Sequence, residues 1–184
     1  PWGAHADIHA AQTEAPHGPV TFTKAWIEMI HRYLAMTVGV LIVVMTAVSW
    51  RERRRLPISP WLPTLTLLWV IVQGLFGKYT VTLKLYPAIV TLHLLGGSIL
   101  LMLLALQHEA FRQRALALTG VLRLALQVVL LIWFLQMALG GWVSSNYAVL
   151  ACRGFPQCNG QWWPAADYAA GFTLLRELGR AGSD

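Results

Sequence analysis

Hydrophobic residues gather in four long runs, separated by short polar or basic segments. The runs extend from about Trp26 to Trp50, Trp61 to Gly77, Ala88 to Gln107 and Val121 to Val143. A helix that crosses the hydrocarbon core of a bilayer needs about 20 mostly apolar residues. Each run is near that length and carries almost no interior charge. Buried core helices of a soluble domain are the alternative source of such runs, and four of them with so little charge argue against it. The predicted fold is therefore all-α: a polytopic membrane bundle of four transmembrane helices within residues 26–143, preceded by an outer segment 1–25 and followed by an outer loop 144–184.

Composition strengthens this reading. Of 184 residues, 57% are hydrophobic and only 12% charged, against about a quarter charged in a soluble domain. The net charge of +6 suggests nucleic acid at first sight. The basic residues sit in clusters between the apolar runs, however, where the positive-inside rule places them, so no nucleic-acid partner is expected and membrane lipid is. Arg51, Arg53, Arg54 and Arg55 follow the first run, and Arg112, Arg114 and Arg123 follow the third. These two loops share one side, the cytoplasmic one (or the mitochondrial matrix). The N-terminal segment, the loop Lys78 to Pro87 and everything from Ser144 onward face the other side; Lys78 and Lys84 weaken this bias without reversing it. Trp26, Trp50, Trp61 and Trp142 fall at run ends, as an interfacial aromatic belt does.

A faint internal repeat is present. Gln73 is followed four residues on by Gly77, and Gln136 by Gly140, in each case near the outer end of a run. Small residues there let helices approach closely.

Six histidines divide into two groups. His5, His9 and His17 lie in the polar N-terminal segment and His108 at an inner loop; solvated surface is the simpler reading, and their spacing matches no tight zinc pattern. His31 and His93 lie inside apolar runs, where an ionisable residue marks a functional site by default. Both runs pass from outside to inside, and each histidine stands about five residues in. At about 1.5 Å per residue, both imidazoles reach roughly 8 Å below the outer boundary. Two imidazoles at one depth are what axial ligation of a heme iron from opposite faces requires. Leu94-Leu95-Gly96-Gly97-Ser98 follows His93, and its small residues leave room for a flat macrocycle. The simpler alternative is that each histidine hydrogen-bonds a neighbouring helix.

Glu28 stands three residues before His31 on the same helical face and is a candidate for proton uptake near a reacting substrate. Arg32, about 100° around the helix from His31, suits a heme propionate; plain interfacial polarity or snorkelling is the alternative for both. Cys152 and Cys158 are the two cysteines of the chain. They fall on the outer side, where disulfides persist, and their spacing is not the CxxC of a thioredoxin-like site. A structural disulfide closing a small loop is expected, with a redox-active pair as the sharper alternative.

Taken together, these residues resemble the heme A synthase family, and most closely its proteobacterial branch. The matching pieces are Glu28-Met29-Ile30-His31-Arg32, Thr80-Val81-Thr82-Leu83-Lys84, His93-Leu94-Leu95-Gly96-Gly97, Leu139-Gly140-Gly141-Trp142-Val143-Ser144-Ser145-Asn146-Tyr147-Ala148, the segment Cys152 to Cys158, and Gly160-Gln161-Trp162-Trp163-Pro164. The resemblance runs from about Lys24 to Gly179. It implies an eight-helix protein of two pseudo-symmetric halves that oxidises the C8 methyl of heme O to a formyl group, giving heme A for cytochrome c oxidase. It also implies that His31 and His93 match the pair associated with the substrate heme, that Glu28 matches the motif glutamate of catalysis, and that Cys152 and Cys158 match the cysteine pair of the loop between the halves. On this reading the chain is a fragment holding family helices two to five. The first helix and its cysteine pair, and the last helices with the histidine pair for a heme b cofactor, are not in it, so the fragment alone is expected to be inactive. Heme O synthase and cytochrome c oxidase assembly factors are implied partners, and a homo-oligomer is left open.

Three other functions compete. A bis-histidine membrane cytochrome that only passes electrons leaves Glu28 without a task. A quinone-linked thiol oxidase needs a second cysteine pair before Cys152, and none occurs. A purely structural assembly protein needs no heme.

Overall fold

The computed structural model describes residues 4–14, 21–83, 85–112, 117–154, 156–165 and 167–174. His17, Lys84, Arg114 and the tail from residue 175 lie outside the described residues. Helices dominate: α1 (His5–Glu14), α2 (Phe22–Arg51), α3 (Trp61–Thr82), α4 (Pro87–Arg112), α5 (Gly120–Ser145), a 3-10 turn (Ala148–Ala151) and a single-turn α6 (Tyr168–Gly171). Four of them, α2 to α5, are long and apolar enough to cross a membrane, and the protein is an all-helical, multi-pass membrane protein.

Local chemistry sets the helix ends. Thr21 accepts a hydrogen bond from Lys24 N at 3.4 Å, a side-chain cap that starts α2 four residues ahead of the apolar run. The added turn holds Thr23 and Lys24, so the apolar part still begins near Trp26. At 30 residues and about 1.5 Å each, α2 is about 45 Å long, longer than the hydrocarbon core of roughly 30 Å, so its charged ends reach water. Pro63 sits in the first turn of α3 and Pro87 opens α4, where a missing N–H costs nothing. Thr119 caps α5 by accepting from Leu122 N at 3.3 Å. The N-terminal segment, expected as a loop, carries α1.

The chain divides into two compact units, residues 1–67 and 68–184. In the first, α1 lies on the start of α2. Ile8 is buried, the His5 and Phe22 rings are 5.4 Å apart, and Phe22 N donates to Gln12 Oε1 at 3.3 Å. At the other end of α2 the chain turns back through 52–60. Trp50 Nε1 donates to Thr64 Oγ1 at 3.0 Å, the Trp50 and Trp61 rings meet edge to face, and the Thr46 hydroxyl lies between Ile42 O (2.8 Å) and Pro63 O (3.2 Å). Trp50 and Trp61 thus close a helical hairpin as well as standing at a boundary.

In the second unit, α4 packs against α5, where Ser98 Oγ donates to Leu94 O at 3.1 Å and lies 3.6 Å from Met137 Sδ. α3 meets α4 through Trp69 Nε1, which donates to Gly96 O at 2.8 Å. The chain after α5 folds back over the helix ends. Trp142 donates to Gly171 O at 2.9 Å and stacks on Phe172, and the Tyr86 hydroxyl donates to Leu174 O.

The distribution of side chains is inverted relative to a soluble domain. Among the described residues the buried side chains include Thr46, Ser49, Thr66, Gln73, Thr91 and Gln107, while leucines, valines and isoleucines line the outside of every long helix. With no hydrophobic drive between helices in lipid, small and polar residues make the contacts.

Gly141 illustrates the tolerance. A Cβ there would meet Leu94 Cδ2 at 3.1 Å and Thr91 Cγ2 at 3.4 Å. Gly141→Ala is expected to be accepted after a small shift of Leu94. Gly141→Leu is expected to part α5 from α4 at a cost of about 1–3 kcal/mol, read as an earlier midpoint when the detergent-solubilised full chain is titrated with SDS.

Candidate functional site

Glu28, His31 and Arg32 occupy one stretch of α2. Arg32 Nη2 donates to Glu28 Oε1 at 2.5 Å, the i,i+4 geometry that lets side chains meet on a helix. Both side chains are about half exposed. The pair keeps two opposite charges together near the start of an apolar helix, and it uses one of the five guanidinium donors, leaving the rest for another anion. His31 is exposed.

His93 lies on α4, in the second unit, with its ring against Gly77 of α3. A Cβ at Gly77 would be 3.4 Å from His93 Cε1 and 3.7 Å from Nε2. One turn further along each helix the same two faces meet again. Gly96 shares the face of His93, Gln73 shares that of Gly77, and the Gln73 amide fills the place where a Gly96 Cβ would stand, its Nε2 only 1.9 Å from that position. The room expected beside His93 from its small neighbours is thus half taken. Gly96 is occupied by Gln73, whereas a Cβ on Gly97 or on Gly74 meets nothing within 4 Å.

Two polar atoms here stand out. Gln73 is 6% exposed and Thr91 7%, and neither Gln73 Oε1 nor Thr91 Oγ1 has a hydrogen-bond partner among the described residues. Other hydroxyls on these helices, such as Thr37, Thr46 and Ser98, donate to a carbonyl four residues back.

His31 is the tenth residue of α2 and His93 the seventh of α4. Counted from the helix starts they differ by nearly one turn; counted from the apolar boundaries near Trp26 and Ala88 they are equal. The structure brings together Glu28 with Arg32 and Cys152 with Cys158. His5 and His9 lie exposed on α1, and His108 is exposed beside Glu109. Among the described residues no three His, Cys, Asp or Glu side chains gather as a metal-ion site; a porphyrin iron asks for only two.

Cys152 and Cys158 form a disulfide with their Cα atoms 4.7 Å apart. Gly154 and Gly160 have φ of +96° and +76°, values glycine adopts without penalty, and they turn the chain on either side of the bridge. Asn159 fastens the loop, accepting from Arg153 N and donating to Ala151 O, both at 3.0 Å.

The sequence reading missed the His93–Gly77 contact and the burial of Gln73. The signal was the Gln-Gly spacing, but its second copy behaves differently: Gln136 is exposed and Gly140 faces open space. A repeat in sequence did not say which copy is packed.

The model of one protein family, cytochrome oxidase assembly protein (COX15-CtaA), matches residues 1–178. The chain is 40% identical to a heme A synthase of Shewanella oneidensis over 161 residues, 85% of this chain and 48% of that protein. It is 31% identical to a heme A synthase of Shouchella clausii over 145 residues and 28% identical to one of Halalkalibacterium halodurans over 144, in both cases 75% of this chain and 48% of the relative. The chain therefore spans about half the length of the curated relatives it matches. No solved structure matches it.

The disulfide closes a short loop, worth about 2 kcal/mol by chain entropy. Cys152→Ser and Cys158→Ser are each expected to speed proteolysis of the outer loop at least several-fold while helix content by circular dichroism is unchanged.

Proposed function

The chain belongs to the cytochrome oxidase assembly protein family COX15-CtaA, and from that premise we propose that it is the substrate-heme half of a heme A synthase, an oxidoreductase that converts the C8 methyl of heme O to the formyl group of heme A. The observation that carries the reading is His93, an imidazole inside an apolar helix and faced by a glycine, in a chain 40% identical to a protein named heme A synthase. Taking a methyl to a formyl is a four-electron oxidation that adds one oxygen atom; with water as the oxygen source, four protons leave and an external electron acceptor takes the four electrons.

In this proposal His31 and His93 are the axial ligands of the substrate heme iron. Their equal depth below the apolar boundaries supports the pairing, each counted along its own helix. Glu28 accepts a proton as the methyl group is oxidised. Its ion pair with Arg32 holds the carboxylate within one turn of His31, and the remaining donors of Arg32 suit a propionate. The disulfide holds the outer loop in shape. A heme b cofactor needs a second histidine pair, which the apolar helices described here do not supply, and we assign it to the half of the relatives outside this chain. No step is therefore derived through it. The site sits in a bacterial inner membrane, with the cysteine loop on the periplasmic side and the arginines after α2 and α4 in the cytoplasm. The partners are heme O, lipid and, by the family description, the assembly machinery of cytochrome oxidase, including heme O synthase.

The test uses the full-length protein purified from cells that make heme O, with an optical spectrum and pyridine hemochrome analysis. Heme O or heme A is expected to co-purify, and His31→Ala or His93→Ala to lose most of it. Only heme b, retained unchanged by both variants, sinks the proposal. Glu28→Gln separates the synthase from an electron-carrying cytochrome. It is expected to keep bound heme O and its spectrum yet form at least a hundredfold less heme A, whereas unchanged conversion removes Glu28 from the mechanism.

A further inference from the structure

The Gln73 side chain is buried in the second unit, and its Oε1 has no donor among the described residues. A buried acceptor left without a partner needs an explanation, more so in lipid, where water cannot supply one. Helix packing alone gives none, because the amide meets Gly96, which offers it only backbone. Gln73 stands one turn along α3 from Gly77, the residue that faces His93. One turn is about 5.4 Å, a distance at which Gln73 would reach the rim of a macrocycle held at His93.

An unsatisfied carbonyl oxygen calls for a donor. A porphyrin rim offers methyl and vinyl groups, which do not donate, and propionates, which as carboxylates only accept. Heme O differs from heme B in one rim substituent, a hydroxyalkyl chain in place of a vinyl group, and its hydroxyl donates. Resting on the proposed heme O site, we propose that Gln73 is a specificity-determining residue whose Oε1 accepts a hydrogen bond from the hydroxyl of the substrate porphyrin. A site built to bond a hydroxyl rejects the analogue lacking it, because its own buried polar group is then left unpaired.

The test is a Soret titration of the heme-depleted full-length protein with heme O and, separately, heme B. The wild type is expected to bind heme O more tightly. Gln73→Met keeps length and removes the amide, and is expected to shrink the heme O to heme B affinity ratio about tenfold, the scale of one buried hydrogen bond, with an unchanged Soret position showing that ligation is intact. Gly96→Ala leaves Gln73 in place but puts a methyl where its amide now sits, and is expected to shrink the ratio in the same direction. A Gln73→Met protein that keeps the wild-type ratio overturns the proposal, including when both affinities fall together, which is the signature of a packing role. If that variant does not fold, Gly96→Ala decides by the same criterion. A wild type that binds neither porphyrin overturns the heme site itself, an outcome distinct from a site that binds both without preference.

Discussion

In hydrocarbon there is no water to complete a hydrogen bond, and that single constraint organises this protein. Helices satisfy their own backbone, which is why the chain crosses as four long helices. Side-chain hydroxyls follow suit. Thr37, Thr46, Thr64, Thr66, Ser98 and Ser145 all donate to the carbonyl four residues back, and the Gln107 amide does the same to Leu103 O. Against that background Gln73 Oε1 and Thr91 Oγ1 are exceptions, and exceptions to a costly rule are where ligands are to be sought.

The same solvent removes the usual reason for helices to associate. Leucine gains nothing by leaving lipid for another leucine, so contact depends on close approach. Gly77 lies against His93, Gly96 against Gln73, and Gly141 against Thr91 and Leu94. The tryptophans contribute through their N–H groups: Trp50 reaches Thr64, Trp69 the carbonyl of Gly96, and Trp142 the carbonyl of Gly171. Each ties an apolar ring to a polar partner that lipid could not provide.

Function grows from the few groups this environment makes expensive. Glu28 and Arg32 stand within one turn of His31 and form an ion pair. The His93 ring lies against Gly77, where a Cβ would stand 3.4 Å from its Cε1. In the proposed function these groups serve the substrate heme, and the chain's relatives include proteins named heme A synthase. The loop after α5 is closed by Cys152 and Cys158 and returned over α4 and α5 by Trp142 and Tyr86.

The sequence by itself determined the four long apolar helices, the membrane class, the family and the cysteine pair, and it singled out His31, His93 and Glu28 as candidates. Run length, charge poverty and motif spacing are one-dimensional properties, and each is set by the solvent or the chemistry without reference to neighbours. It placed the start of the first apolar run near Trp26, whereas the cap at Thr21 starts α2 four residues earlier. Only the tertiary structure decided which glycine is a contact and which is open. Gly77 and Gly140 look alike along the chain, yet one faces an imidazole and the other faces nothing. It likewise placed the Gln73 amide in the gap that Gly96 had seemed to leave for a ligand, and joined Arg32 to Glu28. The physical reason is that a helix face acquires meaning from what is packed against it, and in lipid the packing partner is chosen by shape and hydrogen bonding between distant segments, which hydrophobicity along the chain does not encode.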